Sequence, residues 1–187
     1  FSNNTGLALS FFNDLVINNG KFFTAGGGGK FFSSSDGQNF TEVSNTNTYV
    51  DYVSKLPNNS IVAYGGGITV SNDNGQTWTN QNPGNGYFFR LSTSGNGIYF
   101  AFRDNNGTVQ LVRSPNLKDW TPITIGGSFP TSNFNVTHLA NTPDEKLFVV
   151  IFNNVTGRNE LYSISFGTSQ LVNEVPNARS VTYYNGK

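Results

Sequence analysis

The 187-residue sequence predicts an all-β fold built from four copies of one unit, each a four-stranded antiparallel sheet. Two observations predict it. A Ser-x-Asp-x-Gly-x-x-Trp turn, complete at residues 71–78, recurs in weaker copies, and each segment between these turns contains three apolar runs and leads to a fourth. Such self-similarity indicates that one supersecondary unit is repeated. No segment keeps a helical period, because Gly, Asn and Ser interrupt every candidate.

The complete turn has side chains that suit a tight connection between two strands. The short carboxylate of Asp73 can accept backbone N–H groups, Gly75 can adopt a positive φ, and Trp78 restarts a strand with a large apolar anchor. Together with Ser71, which opens the pattern, these residues predict a structural turn.

The weaker copies of the turn begin at Ser33, Ser114 and Ser163, with serine-to-serine steps of 38, 43 and 49 residues. In the first copy we expect Ser35 at the position of the acid, and in the third copy Asn116, in a turn that is one residue shorter. The fourth copy keeps the fewest residues of the pattern, namely Ser163, Ser165 and Gly167.

Short turn sequences separate the first two apolar runs of every unit. They are Asn-Asn-Gly at 18–20, Asn-Asn-Ser at 58–60, Gly-Asn-Gly at 95–97 and Thr-Pro-Asp-Glu at 142–145. All four permit a positive φ or favour a tight bend, as β-hairpin turns require. Each unit therefore contains a hairpin.

Paired aromatic residues place apolar rings on both faces of single strands, as at Phe22-Phe23, Phe31-Phe32 and Phe88-Phe89. A strand buried on both faces fits a sheet packed between two neighbours, and radial stacking of sheets leaves only short edges. The sequence therefore predicts a β-propeller forming a single domain, or part of one, over 1–187. Its four blades cover approximately 11–47, 48–87, 88–133 and 134–177.

The last ten residues, 178–187, predict the first strand of a fifth blade. They end in Asn-Gly-Lys, the same sequence that turns the chain at residues 19–21. A first strand without its hairpin partner would leave an exposed edge. We expect a fragment of a longer chain, a ring completed by assembly with a neighbouring subunit such as a homo-oligomer, or closure of four blades on this strand.

The turn pattern resembles the BNR, or Asp-box, repeat of sialidase-like β-propellers, and the resemblance covers nearly the whole chain. Only residues 71–78 match in full. In that family the turn lies on the rim of each blade, away from the ligand site. The resemblance therefore implies a structural role for the Asp-box residues Ser71, Asp73, Gly75 and Trp78, and it implies a fold rather than an activity.

Composition excludes several classes of function. Eleven acidic residues balance eleven Lys and Arg residues without a basic run, so the electrostatic footprint of a nucleic-acid binder is absent. With no Cys and one His, only an oxygen-ligand cation such as calcium is conceivable, and because no loop has the sequence of such a site we expect no metal site and no cofactor. No apolar run is long enough for a membrane span. The 12% charged content favours an extracellular, cell-surface or virion-surface location.

Candidate binding residues lie in loops that a propeller would gather on one face, and in its first strands. Their amides and rings suit sugar hydroxyls and the C–H face of a pyranose, and function usually lies on such loops; ordinary solvated loops are the equal alternative. The candidate ligand-binding residues are Asn82, Tyr87, Arg90, Arg103, Asp104, Phe129, His138 and Arg158.

Three residues in first strands have a competing interpretation. As the single histidine, His138 fits a packed or channel-filling residue better than a ligand-binding one. Asp14 and Asp51 could approach a propeller channel as a carboxylate pair for glycoside hydrolysis, which needs one raised pKa. We expect them instead to cap backbone donors.

The resulting functional expectation is a non-enzymatic recognition module that binds glycan or a surface protein through propeller-face loops, with no catalytic residue. The first alternative is a fragment of a sialidase-like glycoside hydrolase. Residues 87–91 resemble the Phe-Arg-Ile-Pro element of that family, in which Arg90 would contact a substrate carboxylate, but the proline is missing. The second alternative is a structural surface or virion subunit.

Overall fold

The computed structural model describes residues 12–26, 28–44, 46, 48–94, 96–165, 168–174, 180 and 181. All regular structure in these residues is β-strand. The chain divides into two compact units, with the boundary between Phe89 and Arg90. The strands form four sheets, two associated with each unit, and β9 spans the boundary. That all four form a single propeller domain stays a prediction.

The first unit holds two four-stranded antiparallel sheets whose strands pair in chain order. The first sheet consists of β1 Phe12–Asn18, β2 Lys21–Gly26, β3 Lys30–Ser34 and β4 Thr41–Glu42. The second sheet consists of β5 Val50–Lys55, β6 Ile61–Gly65, β7 Ile68–Ser71 and β8 Thr79–Asn80.

The third sheet repeats this order, whereas the fourth has an extra strand. The third sheet consists of β9 Tyr87–Thr93, β10 Tyr99–Asn105, β11 Thr108–Ser114 and β12 Thr121–Pro122. In the fourth sheet, β13 Gly126–Gly127 pairs in parallel with the outer strand. Its remaining strands are β14 Phe134–Asn141, β15 Leu147–Asn153, β16 Arg158–Ser165 and β17 Thr168–Glu174. The prediction of four strands for this sheet is therefore short by one.

The predicted hairpins are confirmed in all four sheets. Asn19 and Gly20 have φ values of 45° and 75°, as a type I′ turn between β1 and β2 requires. The corresponding turns contain Asn59 at 64°, Gly97 at 74° and Glu145 at 65°. The predicted strand at 178–187 lies outside the described residues, apart from Ser180 and Val181, which belong to no strand.

The core of the first unit lies between its two sheets. Phe23, Ala25 and Phe31 of the first sheet pack with residues of the second sheet, namely Val50, Val53, Ile61 and Ala63. Trp78, which follows β7, packs against the same cluster. Its ring stands perpendicular to that of Phe31, with centroids 5.0 Å apart. Trp78 therefore attaches the edge of the second sheet to the face of the first.

The complete turn at 71–78 forms the hydrogen bonds that its sequence predicts. Ser71 Oγ donates to Asp73 Oδ1 at 2.8 Å and accepts the Gly75 N–H at 2.7 Å. Asp73 Oδ1 accepts the N–H groups of Gln76 and Thr77 at 3.0 and 2.9 Å. One serine and one carboxylate thus satisfy the backbone donors of the turn, which we call a Ser-Asp turn.

The first copy of the turn has the acid one residue later than expected. Ser34 Oγ donates to Asp36 Oδ1 at 2.8 Å, and Asp36 Oδ1 accepts the N–H groups of Gln38 and Asn39 at 2.8 Å. The placement of Ser35 at the acid position is therefore wrong. The turn is one residue shorter than the complete one, so aligning the two on their glycines displaced the serine and the acid.

The third copy is confirmed and the fourth is not. Asn116 Oδ1 accepts the N–H groups of Lys118 and Asp119 at 3.0 and 2.8 Å, which is the role of the acid. Ser163, by contrast, lies inside β16 and pairs with Gln170. The chain reverses between Ser165 and Thr168, which pair directly, so no Ser-Asp turn forms there. Gly167 lies outside the described residues.

Candidate functional site

The most concentrated group of polar and aromatic side chains in the first unit lies on its first strands. A β-bulge in β5 makes Asp51 the extra residue between Val50 and Tyr52. A similar irregularity occurs in β1 at Asn13. Because a bulge inserts one residue, it re-aims the side chains around it. We call Asn13, Asp51, Tyr52 and Tyr87 the tyrosine patch.

Asp51 is the hydrogen-bond centre of the tyrosine patch. The Tyr87 hydroxyl donates to Asp51 Oδ2, and the Asn13 amide donates to Asp51 Oδ1 at 3.4 Å. Both carboxylate oxygens therefore have a side-chain donor. We expected Asp51 to accept hydrogen bonds from backbone N–H groups, but these two donors are side chains. The reason is that the bulge directs the carboxylate towards Tyr87.

The aromatic rings of the patch are arranged at defined angles. Tyr52 stacks on Tyr64, with centroids 5.4 Å apart and an interplanar angle of 25°. Tyr87 meets Tyr52 edge-on at 6.5 Å and 69°. Tyr64 is buried, whereas Tyr52 and Tyr87 are half-buried. The buried ring of Tyr64 thus supports that of Tyr52, which in turn contacts Tyr87, and both of these keep part of their surface in solvent.

Burial raises the pKa of Tyr87 far above its ordinary value, and the hydrogen bond to Asp51 raises it further. The phenol therefore stays protonated at physiological pH. Its proton points to Asp51, and a side-chain hydrogen bond with Tyr52 also holds the phenol in place.

Asp14 behaves as expected from the sequence. Its Oδ2 accepts the Val53 N–H at 3.4 Å, and its Oδ1 accepts the Leu15 N–H at 3.0 Å. The prediction that it caps backbone donors is confirmed. The contact with Val53 also ties β1 to β5, so Asp14 helps to hold the tyrosine patch together.

Arg90 and His138 come together in the second unit. Arg90 has a φ of 56° inside β9, and its Nε donates to the Val136 carbonyl at 3.3 Å. Burial lowers the pKa of His138, and the positive charge of Arg90 lowers it further. His138 is thus neutral at physiological pH, which supports its interpretation as a packed residue.

Phe129 packs inside the second unit and does not offer a ring face to a ligand. It is 9% exposed and contacts Phe102, Phe134 and Tyr162, with ring centroids 6.4, 5.3 and 5.0 Å away. Its assignment as a ligand-binding residue is therefore corrected. The sequence placed it in an open loop, but large rings beside glycines and serines also anchor loops to a core.

The loop around Phe129 is attached to the fourth sheet. Ser169 Oγ donates to the Gly126 carbonyl at 2.7 Å and accepts the Phe129 N–H at 2.8 Å. Ser128 Oγ accepts the Leu171 N–H at 3.1 Å. Gly126 and Gly127 therefore extend the sheet, and Ser128 and Phe129 are attached to it, where we expected an open binding loop.

The remaining candidates are dispersed. The Asn82 N–H donates to Asn80 Oδ1 at 2.7 Å, and Asp104 accepts the Gly107 N–H at 2.8 Å in the β10–β11 turn. Arg103 Nη2 donates to Gln110 at 3.4 Å, while its buried Nε makes no hydrogen bond. Arg158 is exposed at the start of β16. None of these contacts involves the tyrosine patch.

Sequence reasoning missed Asn13, Tyr52 and the supporting ring of Tyr64. Asn13 and Tyr52 lie in first strands, each next to an aspartate, where strand alternation is the usual signal for a shared face. The bulges at Asn13 and Asp51 break that alternation, so the sequence carries no sign of which side chains converge.

Among the residues that the structure describes, no three His, Asp or Glu side chains come together in a way that would hold a metal ion. The same part of the chain contains no helix with the length and hydropathy needed to cross a bilayer.

Similarity to known proteins is visible in structure and not in sequence. No protein-family model and no curated protein matches the chain. YCF48 bound to D1 peptide is similar with a TM-score of 0.58 at 16% identity, over 86% of this chain and 52% of that one. A gluconolactonase from Xanthomonas campestris is similar with a TM-score of 0.61 at 9% identity, over 89% of this chain and 62% of that one.

A third similar structure is the WD40 repeat domain of RRP9, with a TM-score of 0.55 at 11% identity over 92% of this chain and 56% of that one. The chain thus spans between about half and two-thirds of these three structures. They differ in function, and at such identities the likeness concerns the fold alone. It confirms the predicted fold class: the chain is an all-β protein of β-propeller type, built from repeated antiparallel sheets.

Proposed function

We propose that the chain is a non-enzymatic recognition module that binds glycan through the tyrosine patch, in an extracellular, cell-surface or virion-surface setting. One observation carries the proposal. Tyr87 and Asn13 both donate to Asp51, beside the stacked rings of Tyr52 and Tyr64. Oriented hydrogen-bonding groups therefore stand next to aromatic rings on one surface of the first unit.

This chemistry suits a sugar. A pyranose presents an apolar C–H face and a ring of hydroxyl groups, so it needs an aromatic surface next to planar acceptors and donors. A carboxylate has about four acceptor sites, and the two side-chain donors leave capacity for ligand hydroxyls. Tyrosine suits such a surface because its ring is apolar and its hydroxyl is polar.

The turn carboxylates of Asp36, Asp73 and Asp144 do not have the pKa values that glycoside hydrolysis requires of a general acid. A hydrolase needs a carboxyl group with a raised pKa as its general acid. The described carboxyl groups with resolved shifts, those of Asp36, Asp73 and Asp144, all have lowered pKa values because turn hydrogen bonds stabilise the charged form. Each serves its own turn.

The Ser-Asp turns support membership of the BNR, or Asp-box, repeat family. The turns that begin at Ser34, Ser71 and Ser114 use the same pair of side chains for the same backbone donors. We infer that these are copies of that repeat, with Asn116 replacing the acid in the third. They contribute to the fold and leave recognition to other residues.

A glycan array tests the proposal, followed by calorimetry with the best glycan. We expect a dissociation constant of about 1 mM or tighter, weakened at least about tenfold by Tyr87→Ala, a loss of about 1.4 kcal/mol. Tyr49→Ala is the matched control, because Tyr49 is a 50% exposed tyrosine of the same unit outside the patch. Equal losses in the two variants, or no bound glycan, would contradict the proposal.

The same samples separate the alternatives. Turnover of a fluorogenic glycoside would identify a hydrolase, and regular filaments or shells in electron micrographs would identify a structural subunit. Binding of a peptide, with no glycan bound, would favour a protein partner.

A further inference from the structure

The second unit contains a cleft of about 530 Å³ between the third and fourth sheets. Its apolar lining comes from Phe100 and Ile123 of the third sheet and its connection, and from Leu147 and Ile164 of the fourth sheet. Arg113 and the turn residues 144–146 add charged groups to the lining. The volume lies within the range of 300–1,000 Å³ that is common for binding pockets.

The same place in the first unit can be identified from strand register. In β2, Phe23 pairs with Ser33, the residue before the serine of a Ser-Asp turn. In β10, Phe100 pairs with Arg113, which also precedes such a serine. Phe100 therefore corresponds to Phe23.

The second lining residue of the third sheet corresponds in the same way. The Val43 N–H donates to the Phe31 carbonyl at 2.8 Å, and the Ile123 N–H donates to the Leu111 carbonyl at 2.8 Å. Ile123 therefore corresponds to Val43. Both members of the third-sheet apolar wall thus have counterparts in the first sheet.

In the first unit this place is filled by Trp78. Its ring centroid lies 6.1 Å from that of Phe23 and 5.0 Å from that of Phe31. Val43 belongs to the same cluster. The Ser-Asp turn of the second sheet therefore places an indole against Phe23 and Phe31 of the first sheet, in the cluster that also includes Val43. We call this place the Trp78 socket.

Among the residues that the structure describes, the fourth sheet has no Ser-Asp turn of the kind that carries Trp78. Ile61 and Leu147 are counterparts, because each follows the residue that closes the hairpin of its sheet. Ile61 pairs with Ser71, the serine of the Ser-Asp turn, whereas Leu147 pairs with Ile164. The fourth sheet therefore has an isoleucine where the turn needs a serine. The strand then reverses directly between Ser165 and Thr168. The cleft is the counterpart of the Trp78 socket, without a tryptophan of its own turn.

We propose that this cleft binds a tryptophan side chain of a partner protein, presented on an exposed peptide segment. The apolar lining matches the indole, because its counterpart already holds one. The charged lining residues match the polar backbone around such an anchor: Arg113 lies 4.0 Å from Glu145, and Lys146 interacts with Asp144. An apolar centre with a polar rim is the usual anatomy of an anchor site. This site is independent of the tyrosine patch.

The test uses N-acetyl-L-tryptophanamide as the probe and methyl-labelled intact chain in NMR titrations. We expect saturable shifts of the Ile123, Leu147 and Ile164 methyl groups, with a dissociation constant on the order of 1 mM. The Val53 and Ile61 methyl groups, beside the filled socket, should not shift. The absence of shifts at about ten times that concentration would overturn the proposal.

Three variants make the result specific. Ser165→Trp supplies an indole at the edge of the cleft and should weaken probe binding at least about tenfold, whereas Ser165→Ala should bind like the wild type. Undiminished binding by folded Ser165→Trp would contradict the site. If binding appears only after Phe166→Ala, the chain fills the cleft itself and the proposal is wrong.

A positive control comes from the first unit. Trp78→Ala empties the socket beside Phe23 and Phe31, and it should add a second set of shifts at Val53 and Ile61. If this variant unfolds, Trp78→Leu is the substitute, because it leaves part of the socket open. A probe that binds neither socket would overturn the correspondence on which the proposal rests.

Discussion

The indole of Trp78 stands perpendicular to the ring of Phe31, with centroids 5.0 Å apart. Trp78 belongs to the turn of the second sheet and Phe31 to β3 of the first. An edge-to-face arrangement of this kind contributes about 0.5–1.5 kcal/mol beyond the area that it buries. The complete turn at 71–78 therefore also attaches the second sheet to the first.

Removing this ring should destabilise the first unit. We expect Trp78→Ala to lower the free energy of unfolding by about 3–5 kcal/mol, since it removes a large ring from a packed cluster. Trp78→Phe should cost clearly less, because the buried Nε1 makes no hydrogen bond that the substitution could remove. Urea denaturation measures both, and equal losses would show that the ring contributes little.

Position 75 requires a glycine for two reasons, namely its backbone conformation and its contact with Phe23. Its φ is +80°, and an added Cβ would lie 2.7 Å from Phe23 Cζ, in a ring that is fully buried. Gly84 has a φ of +85° but open space around it. Gly84→Ala should therefore cost about 1 kcal/mol from backbone strain alone.

Gly75→Ala should cost about 1–3 kcal/mol more than Gly84→Ala, because the methyl group overpacks the core beside Phe23. Thermal unfolding of the two variants measures the difference. Equal losses of stability in the two variants would mean that the turn is not tightly packed against Phe23 of the first sheet.

The acid of the turn makes stability depend on pH. The side-chain hydroxyl and backbone N–H of Thr77 lower the pKa of Asp73 to about 2, from an ordinary value of 3.8. Because the folded-state pKa is the lower one, the stabilisation is complete above pH 3.8 and is lost as the pH falls through about 2.

Asp73→Asn should remove this part of the pH dependence. Its amide oxygen can still accept backbone N–H groups, as Asn116 does in the third copy. We expect melting temperatures measured from pH 5 to pH 2 to fall less steeply for the variant than for the wild type. Parallel curves would contradict the role of the carboxylate.

Ser169 holds the extra strand of the fourth sheet. It accepts the buried N–H of Phe129 and donates to the Gly126 carbonyl. Ser169→Ala should cost about 1–3 kcal/mol, because it leaves a buried donor unsatisfied. Hydrogen exchange should become faster at Phe129 and stay unchanged in the Asn19-Gly20 hairpin, and protection that persists at Phe129 would contradict this role.

Turn chemistry explains why so much of the fold is predictable. Asn19-Gly20 and its counterparts determine local backbone geometry by themselves, so the hairpins and the all-β class follow from short sequences. The error at Ser35 has the same origin. The first turn is one residue shorter than the complete one but keeps the same hydrogen bonds, with Asp36 as the acid. An alignment of the two turns on their glycines therefore places Ser35 at the position of the acid.

The candidate site was less predictable because it depends on contacts between distant segments. Phe129 lies in a polar loop, yet three rings and Ser169 bury it. The tyrosine patch depends on bulges that bring Asn13 to Asp51, a separation of 38 residues. Neither feature leaves a local signal, and only Tyr87 of the patch was proposed as a ligand-binding residue.

The most direct test of the account locates the bound glycan. An NMR titration of the intact chain with the best glycan from the array should shift the Asn13 side-chain amide and the ring resonances of Tyr52 and Tyr87. The resonances of Trp120, in the third Ser-Asp turn, should stay in place. Shifts that cluster at a Ser-Asp turn and leave Asn13, Tyr52 and Tyr87 unchanged would contradict recognition through the tyrosine patch.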